Sequence, residues 1–154
     1  MAVLPGMVER GRGRIVNIVS EAGNNPEAEL SAYSTSKAAL MHFTECMAMA
    51  GAPHGVGVFA YHPGIVRTAM TEALAGEPAS EGTREGMGDR LRIAFAEGRD
   101  TPIERAVERF MFLASGRGDF LAGRYIMSRQ PESELLERAA EIPGSDLFKL
   151  RVVR

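Results

Sequence analysis

Three side chains in this 154-residue sequence could together move a proton. Tyr33 and Lys37 stand four residues apart, so on a helix both project from one face, about one turn apart. A phenol is a poor acid at neutral pH, with an ordinary pKa near 10, and a neighbouring ammonium favours its phenolate. Lowering that pKa by about three units takes roughly 4 kcal/mol of differential stabilisation. Ser20 follows a strand-like run and falls in a loop, where its hydroxyl could hold a substrate oxygen while Tyr33 exchanges a proton with it. The trio suits alcohol–carbonyl interconversion. Taken alone, Tyr33 and Lys37 could equally be an ordinary exposed helix pair. What makes the arrangement specific is the company of Ser20, the strand before it and the Pro63-Gly64 turn after the next strand.

The elements that must position these residues alternate. Residues 2–10 have the character of a helix end, and Arg10-Gly11-Arg12-Gly13-Arg14 that of a solvated turn rather than a basic nucleic-acid tract. Ile15-Val16-Asn17-Ile18-Val19 is a strand suited to burial on both faces. Residues 20–31 are loop by composition. A helix follows from Ala32 to about Ala50, with Leu40, Phe43, Met47 and Ala50 on one face and Gly51 and Pro53 as its stop. Val56–Tyr61 is a second buried strand. Residues 68–100, rich in Gly, Glu and small residues, suggest a mobile substrate lid with only weak helical pieces. Thr101-Pro102-Ile103-Glu104 has the pattern of a capping box. It opens a helix whose buried stripe is expected to be Ile103, Val107, Phe110, Met111 and Ala114. Leu121–Met127 forms a third strand, Glu132–Ala140 a short helix, and residues 146–154 a tail with some strand character. Strands alternating with helices predict an α/β fold built of parallel units with right-handed crossovers.

Gly13-Arg14-Ile15-Val16-Asn17-Ile18-Val19-Ser20, then Tyr33-Ser34-Thr35-Ser36-Lys37, then Pro63-Gly64-Ile65-Val66-Arg67-Thr68 resembles the short-chain dehydrogenase/reductase family. The match runs in order through most of the chain, and the stretch from Thr101-Pro102 to Gly123 resembles the family's later helix and last strand. The resemblance implies a partial Rossmann-like, doubly wound parallel sheet, namely its last three strands with flanking helices, with residues 1–154 as one partial, catalytic domain. It implies that Ser20 orients the substrate carbonyl and that Tyr33 is the general acid/base. It implies that Lys37 binds the nicotinamide ribose and lowers the Tyr33 pKa. Pro63, Gly64, Ile65 and Val66 would line the nicotinamide end of NAD or NADP, with Thr68 near its carboxamide or phosphates. It implies a small-molecule alcohol or carbonyl substrate and a homo-oligomer paired through the Tyr33 helix. The family's Gly-rich phosphate turn, its first strands, the residue that selects NAD or NADP and the upstream Asn of its proton relay have no counterpart here. Gly11-Arg12-Gly13 and Gly86-Met87-Gly88 do not replace the turn. The expectation is a C-terminal half of the fold, with about a hundred residues of the N-terminal half outside this chain. Where many members carry Asp-Gly-Gly after the last strand, this chain has Met127-Ser128-Arg129-Gln130.

Composition excludes several other classes. The chain is 45% hydrophobic and 25% charged, as globular domains are, and its formal net charge of -2 makes no case for nucleic acid or an anionic membrane. One cysteine, Cys46, fits a reducing compartment and is expected in the core; with no spanning run and no signal peptide, a cytoplasmic location is expected. Met41, Met47 and Met49 are expected to pack a core or a subunit interface. His42, His54 and His62 lack metal-ligand spacing, so no metal site is expected. Of 18 basic residues 16 are Arg, which singles out Lys37 and Lys149. The competing reading is a non-catalytic remnant or oligomerisation module without the dinucleotide phosphate loop, which a tight complex with NADH or NADPH would exclude.

Overall fold

The computed structural model describes residues 3–25, 27, 30–76 and 86–151. Its centre is a three-stranded parallel sheet in the order β1 (Gly13–Ile18), β2 (Val56–His62), β3 (Tyr125–Met127). The helices are α1 (Leu4–Glu9), α2 (Ser31–Gly51), α3 (Ala69–Gly76), α4 (Met87–Ala96), α5 (Ile103–Ala114) and α6 (Glu132–Glu137). The α/β expectation and the three parallel strands are therefore observed.

Strand β2 explains the layering. Successive side chains of a strand point to opposite faces. Phe59 and Tyr61 pack with Phe112, Leu113, Ile126, Leu135 and Ile142 beneath α5 and α6. Val56 and Val58 pack with Ala48 and α1 on the other face, and Ala60 with Met41. Both faces are covered, as parallel sheets require. The buried Tyr61 hydroxyl donates to the Ala106 carbonyl at 2.7 Å, and burial pushes that phenol up to about 12.

Helix α2 lies on the sheet through small residues. Its buried positions are Ser34, Met41, Thr44, Ala48 and Gly51; of the expected face, Leu40 and Met47 are partly buried and pack against the core, while Phe43 and Ala50, with Met49, are exposed. The helix is apolar on several sides, so periodicity alone did not choose the face. Small side chains let it approach the strands closely, and that decided the outcome. Cys46 is exposed rather than in the core, while Met41 is buried.

Helix α5 is turned the opposite way from the expected stripe. Ala106, Arg109, Phe112 and Leu113 face inward, and Ile103, Val107, Phe110 and Met111 are exposed. Arg109 disguised the inner face. It is only 7% exposed, its guanidinium lies 5.3 Å from the Phe112 ring centroid, and it donates to the Gln130 carbonyl. The capping box does not form: Pro102 takes the N-cap, without a side-chain cap, and Thr101 sits outside the helix. Strand β3 is shorter than expected, because a 3-10 turn at Asp119–Leu121 and a turn at 122–123 use the residues before Tyr125. The final helix ends at Glu137 rather than Ala140. Residues 146–151 are not a strand; they are tied back by Lys149 and Arg151 to Glu45 and by the Tyr125 amide, which donates to the Phe148 carbonyl at 2.8 Å, while the buried Arg124 donates to the preceding carbonyls of Ile142 and Ser145.

A part-buried hydrogen bond between side chains ties α2 to β1. Asn17 Nδ2 donates to Thr44 Oγ1 at 2.9 Å, and that fully buried hydroxyl donates in turn to the Leu40 carbonyl at 2.7 Å. Thr44→Val keeps the volume but strands the Asn17 amide, so it should cost about 1–2 kcal/mol. Denaturant titration checks this; an unchanged midpoint would show that the bond does not hold the helix.

Candidate active site

Strand β1 ends at Ile18, and the next residues turn across the top of the sheet, where ligands of open α/β sheets are held. Ser20 is extended (φ -141°, ψ 153°) and caps the 3-10 turn Glu21–Gly23, its Oγ accepting from the Ala22 amide at 3.3 Å. The turn rests directly on α2. A Cβ at Gly23 would come within 2.8 Å of the Ala38 nitrogen, so only glycine permits this approach. The contact sets Ser20 relative to the first turns of the helix.

Tyr33 and Lys37 lie on those turns. Tyr33 is 43% exposed and faces the same cleft as Ser20. Lys37 Nζ donates to the Ile18 carbonyl at 3.0 Å, at the end of β1, and lies 5.5 Å from the Tyr33 ring centroid. An ammonium has three donors. With one directed at Ile18, the cation is held beside the phenol.

Beyond β2 the chain turns through Pro63-Gly64-Ile65, and its neighbours pin each step. The Ser128 hydroxyl donates to the Pro63 carbonyl at 2.8 Å, and the Thr101 amide to the Ile65 carbonyl at 2.7 Å. Gly64 has φ of 87°, and a Cβ there would overlap Thr101 Oγ1. Thr68 precedes α3 and exchanges hydrogen bonds with Thr71: Thr71 Oγ1 accepts from the Thr68 amide at 2.8 Å, and Thr68 Oγ1 from the Thr71 amide at 3.3 Å.

The cleft has a volume of about 460 Å³. Of the residues singled out in the sequence, Ser20, Tyr33, Gly64 and Ile65 line it; Lys37, Pro63, Val66 and Thr68 do not. The remaining wall was not legible from motifs. The described part of the expected lid is two packed helices, α3 and α4, which contribute Met70, Leu74, Met87 and Leu91; residues 77–85 lie outside the described residues. His62 also lines the cleft, its ring stacked on Tyr125 with centroids 6.4 Å apart. Burial holds its pKa below the usual histidine value, against the opposing pull of Glu21. The only sequence signal for His62 was its place at the end of β2. Among the described residues no group of three or more His, Cys, Asp or Glu could hold a metal ion. No helix there is long and apolar enough to cross a membrane.

Residues 1–78 match the family model described as short chain dehydrogenase. A short chain dehydrogenase of Monascus ruber, pigC, is 30% identical over 152 residues, which are 99% of this chain and 46% of that protein. The L-xylulose reductase of Bos taurus is 33% identical over 122 residues, 79% of this chain and 47% of its own length. Among solved structures, a gluconate 5-dehydrogenase from Burkholderia cenocepacia in complex with NADP and tartrate superposes with a TM-score of 0.67 at 27% identity, covering 82% of this chain and 47% of that one. The chain thus spans about half the length of the curated relatives it matches.

Two outcomes test this geometry. Gly64→Ala should cost about 1–3 kcal/mol from the positive φ alone, and more from the overlap with Thr101. A Thr101→Ala background should return only the part due to overlap, and a neutral Gly64→Ala would refute the packing described. For His62 the folded pKa lies below the unfolded 6.5, so its contribution to stability is fully present above pH 6.5 and is lost as the pH falls through the lower, folded value. The melting temperature should therefore decline on acidification, and His62→Gln should flatten part of that decline.

Proposed function

The chain belongs to the short-chain dehydrogenase family, and from that premise we propose that it is the catalytic half of an NAD(P)-dependent oxidoreductase interconverting alcohols and carbonyls. The observation that carries this reading is the meeting of Ser20 and Tyr33 on one cleft, with Lys37 anchored to the end of β1 beside the Tyr33 ring. Solved relatives with NADP and with NAD+ support the choice of cofactor.

The residues present fit the nicotinamide end of such a group. Lys37 has donors beyond the one given to Ile18, and it holds them beside the Tyr33 ring. Lys37 and Tyr33 would hold the ribose, Pro63, Gly64, Ile65 and Val66 the nicotinamide face, and Thr68 its carboxamide or phosphate side. When bound, NAD or NADP supplies the hydride acceptor or donor. Ser20 Oγ holds the substrate oxygen through its remaining donor, while its own acceptor site is set by the Ala22 amide. Tyr33 Oη gives its proton to the carbonyl oxygen in reduction and takes the hydroxyl proton in oxidation. Lys37 keeps positive charge beside the phenol as that proton leaves.

Helices α3 and α4 form the substrate-facing lid of this reading. Self-association belongs to it as well. Phe43 and Met49 are exposed on α2, and Ile103, Val107 and Met111 on α5, more apolar side chains than one copy covers. The same surfaces favour the second reading, an interaction module, which also needs no cofactor. The exposed single cysteine suits a reducing, cytoplasmic setting.

In the chain assayed with NADH or NADPH and a carbonyl substrate, Tyr33→Phe should lower turnover by about 10²–10⁴-fold while leaving the melting temperature unchanged. A fully active Tyr33→Phe protein would remove Tyr33 from the chemistry. A wild-type chain that neither binds nor oxidises the nucleotide would favour the interaction module.

A further inference from the structure

We propose that the cleft selects an alcohol or ketone flanked by hydrocarbon over a polyhydroxylated one. The inference rests on the oxidoreductase reading only for which atom of the ligand reacts. Much of the cleft lining is apolar: Met70 and Leu74 come from α3, Met87 and Leu91 from α4, and Leu30 from the start of α2. These are flexible or branched hydrocarbon side chains that can settle around a chain or ring but offer a hydroxyl no partner.

Several polar groups on the same cleft already have partners. Glu27 accepts from Arg90 at 2.6 Å. Glu21 accepts from Asn25 at 3.4 Å and from Arg129 at 3.3 Å. Thr71 Oγ1 donates to the Val66 carbonyl at 2.9 Å and accepts from the Thr68 amide. Arg90 Nε is buried and makes no hydrogen bond. Of the remaining polar lining, Ser20 and Tyr33 are the pair assigned to the reacting oxygen, and the His62 ring is stacked on Tyr125. A polyol would bring several further hydroxyls and would have to leave water without replacing those bonds, at about tenfold or more in affinity for each. Each methylene on a hydrocarbon flank would gain roughly threefold to fourfold. The likeness to L-xylulose reductase is one of overall sequence and that to gluconate 5-dehydrogenase one of overall sequence and fold, and the wall departs from what a sugar-like ligand needs.

The experiment titrates the full chain, carrying 13C-methyl-labelled methionine, with butan-2-one, hexan-2-one, octan-2-one and xylitol. The Met70 and Met87 methyl resonances report occupancy of the wall without any turnover. Expected are shifts at both methyls, a dissociation constant falling about threefold per added methylene, and xylitol binding more weakly than every ketone. Met70→Gln, at an exposed position, should weaken octan-2-one several-fold at unchanged melting temperature, and Leu74→Asn provides an independent second change in the wall. Equal or tighter binding of xylitol, affinity independent of chain length, or no binding by any ketone overturns the proposal. Failure of the parent reading looks different. Tyr33→Phe that binds octan-2-one like wild type, with neither protein reducing it, would sink the oxidoreductase assignment and leave the selectivity standing. Turnover with a polyol preference would do the reverse.

Discussion

Everything at the candidate site depends on how closely α2 can lie against the sheet. Apart from Met41, which packs on Ala60, the buried positions of the helix are Ser34, Thr44, Ala48 and Gly51, side chains with almost no reach. That closeness puts Thr44 within bonding distance of Asn17 and lets the turn at Gly23 rest on the backbone at Lys37 and Ala38. Larger residues on this stripe would lift the helix off the sheet. Lys37 would then lose the Ile18 carbonyl, and Tyr33 would leave the wall it shares with Ser20. The site is thus assembled by backbone approach, and the reactive side chains follow.

The turn after β2 is the second junction. Pro63, Gly64 and Ile65 are held by Ser128 from the end of β3 and by Thr101 from the entry to α5, so three elements converge on three residues. The positive φ at Gly64 directs the chain away from the strand and into the helices that close the cleft. Thr68 and Thr71 bind one another at the first turn of α3, spending their hydroxyls on its geometry. A turn fixed from both sides in this way gives the cleft one rigid edge. The wall formed by α3 and α4 is joined to the sheet chiefly through it.

Local spacing was legible in the sequence and long-range choice was not. The four-residue step from Tyr33 to Lys37, the strand before Ser20 and the Pro63-Gly64 turn each act within a few residues, so the local structure they imply is the one observed. The inward faces of α2 and α5 were misjudged for a common reason. Both helices carry apolar residues on two sides, and the side that packs was chosen by fit to the strands, through small residues on α2 and through Phe112 and Leu113 flanking a buried Arg109 on α5. The same limit hid the wall. Met70 and Leu91 are far apart in sequence and meet only because α3 packs on α4, in a stretch whose Gly-rich composition suggested a loop.

The cleft has two ends of different character, and under the proposed reading they act on different steps. Apolar contacts from Met70, Leu74, Met87 and Leu91 do not change as a carbonyl becomes an alkoxide, so they bind ground state and transition state alike and govern occupancy. Charge develops only at the oxygen, beside Ser20 and Tyr33, with Lys37 held near the phenol by a bond to the sheet rather than to a flexible partner. Donors fixed in this way need little reorganisation as charge appears, and that is where their contribution to rate arises. Because the wall comes from α3 and α4 and the reactive pole from β1 and α2, the wall could be rebuilt for a different flank without disturbing the chemistry at the oxygen.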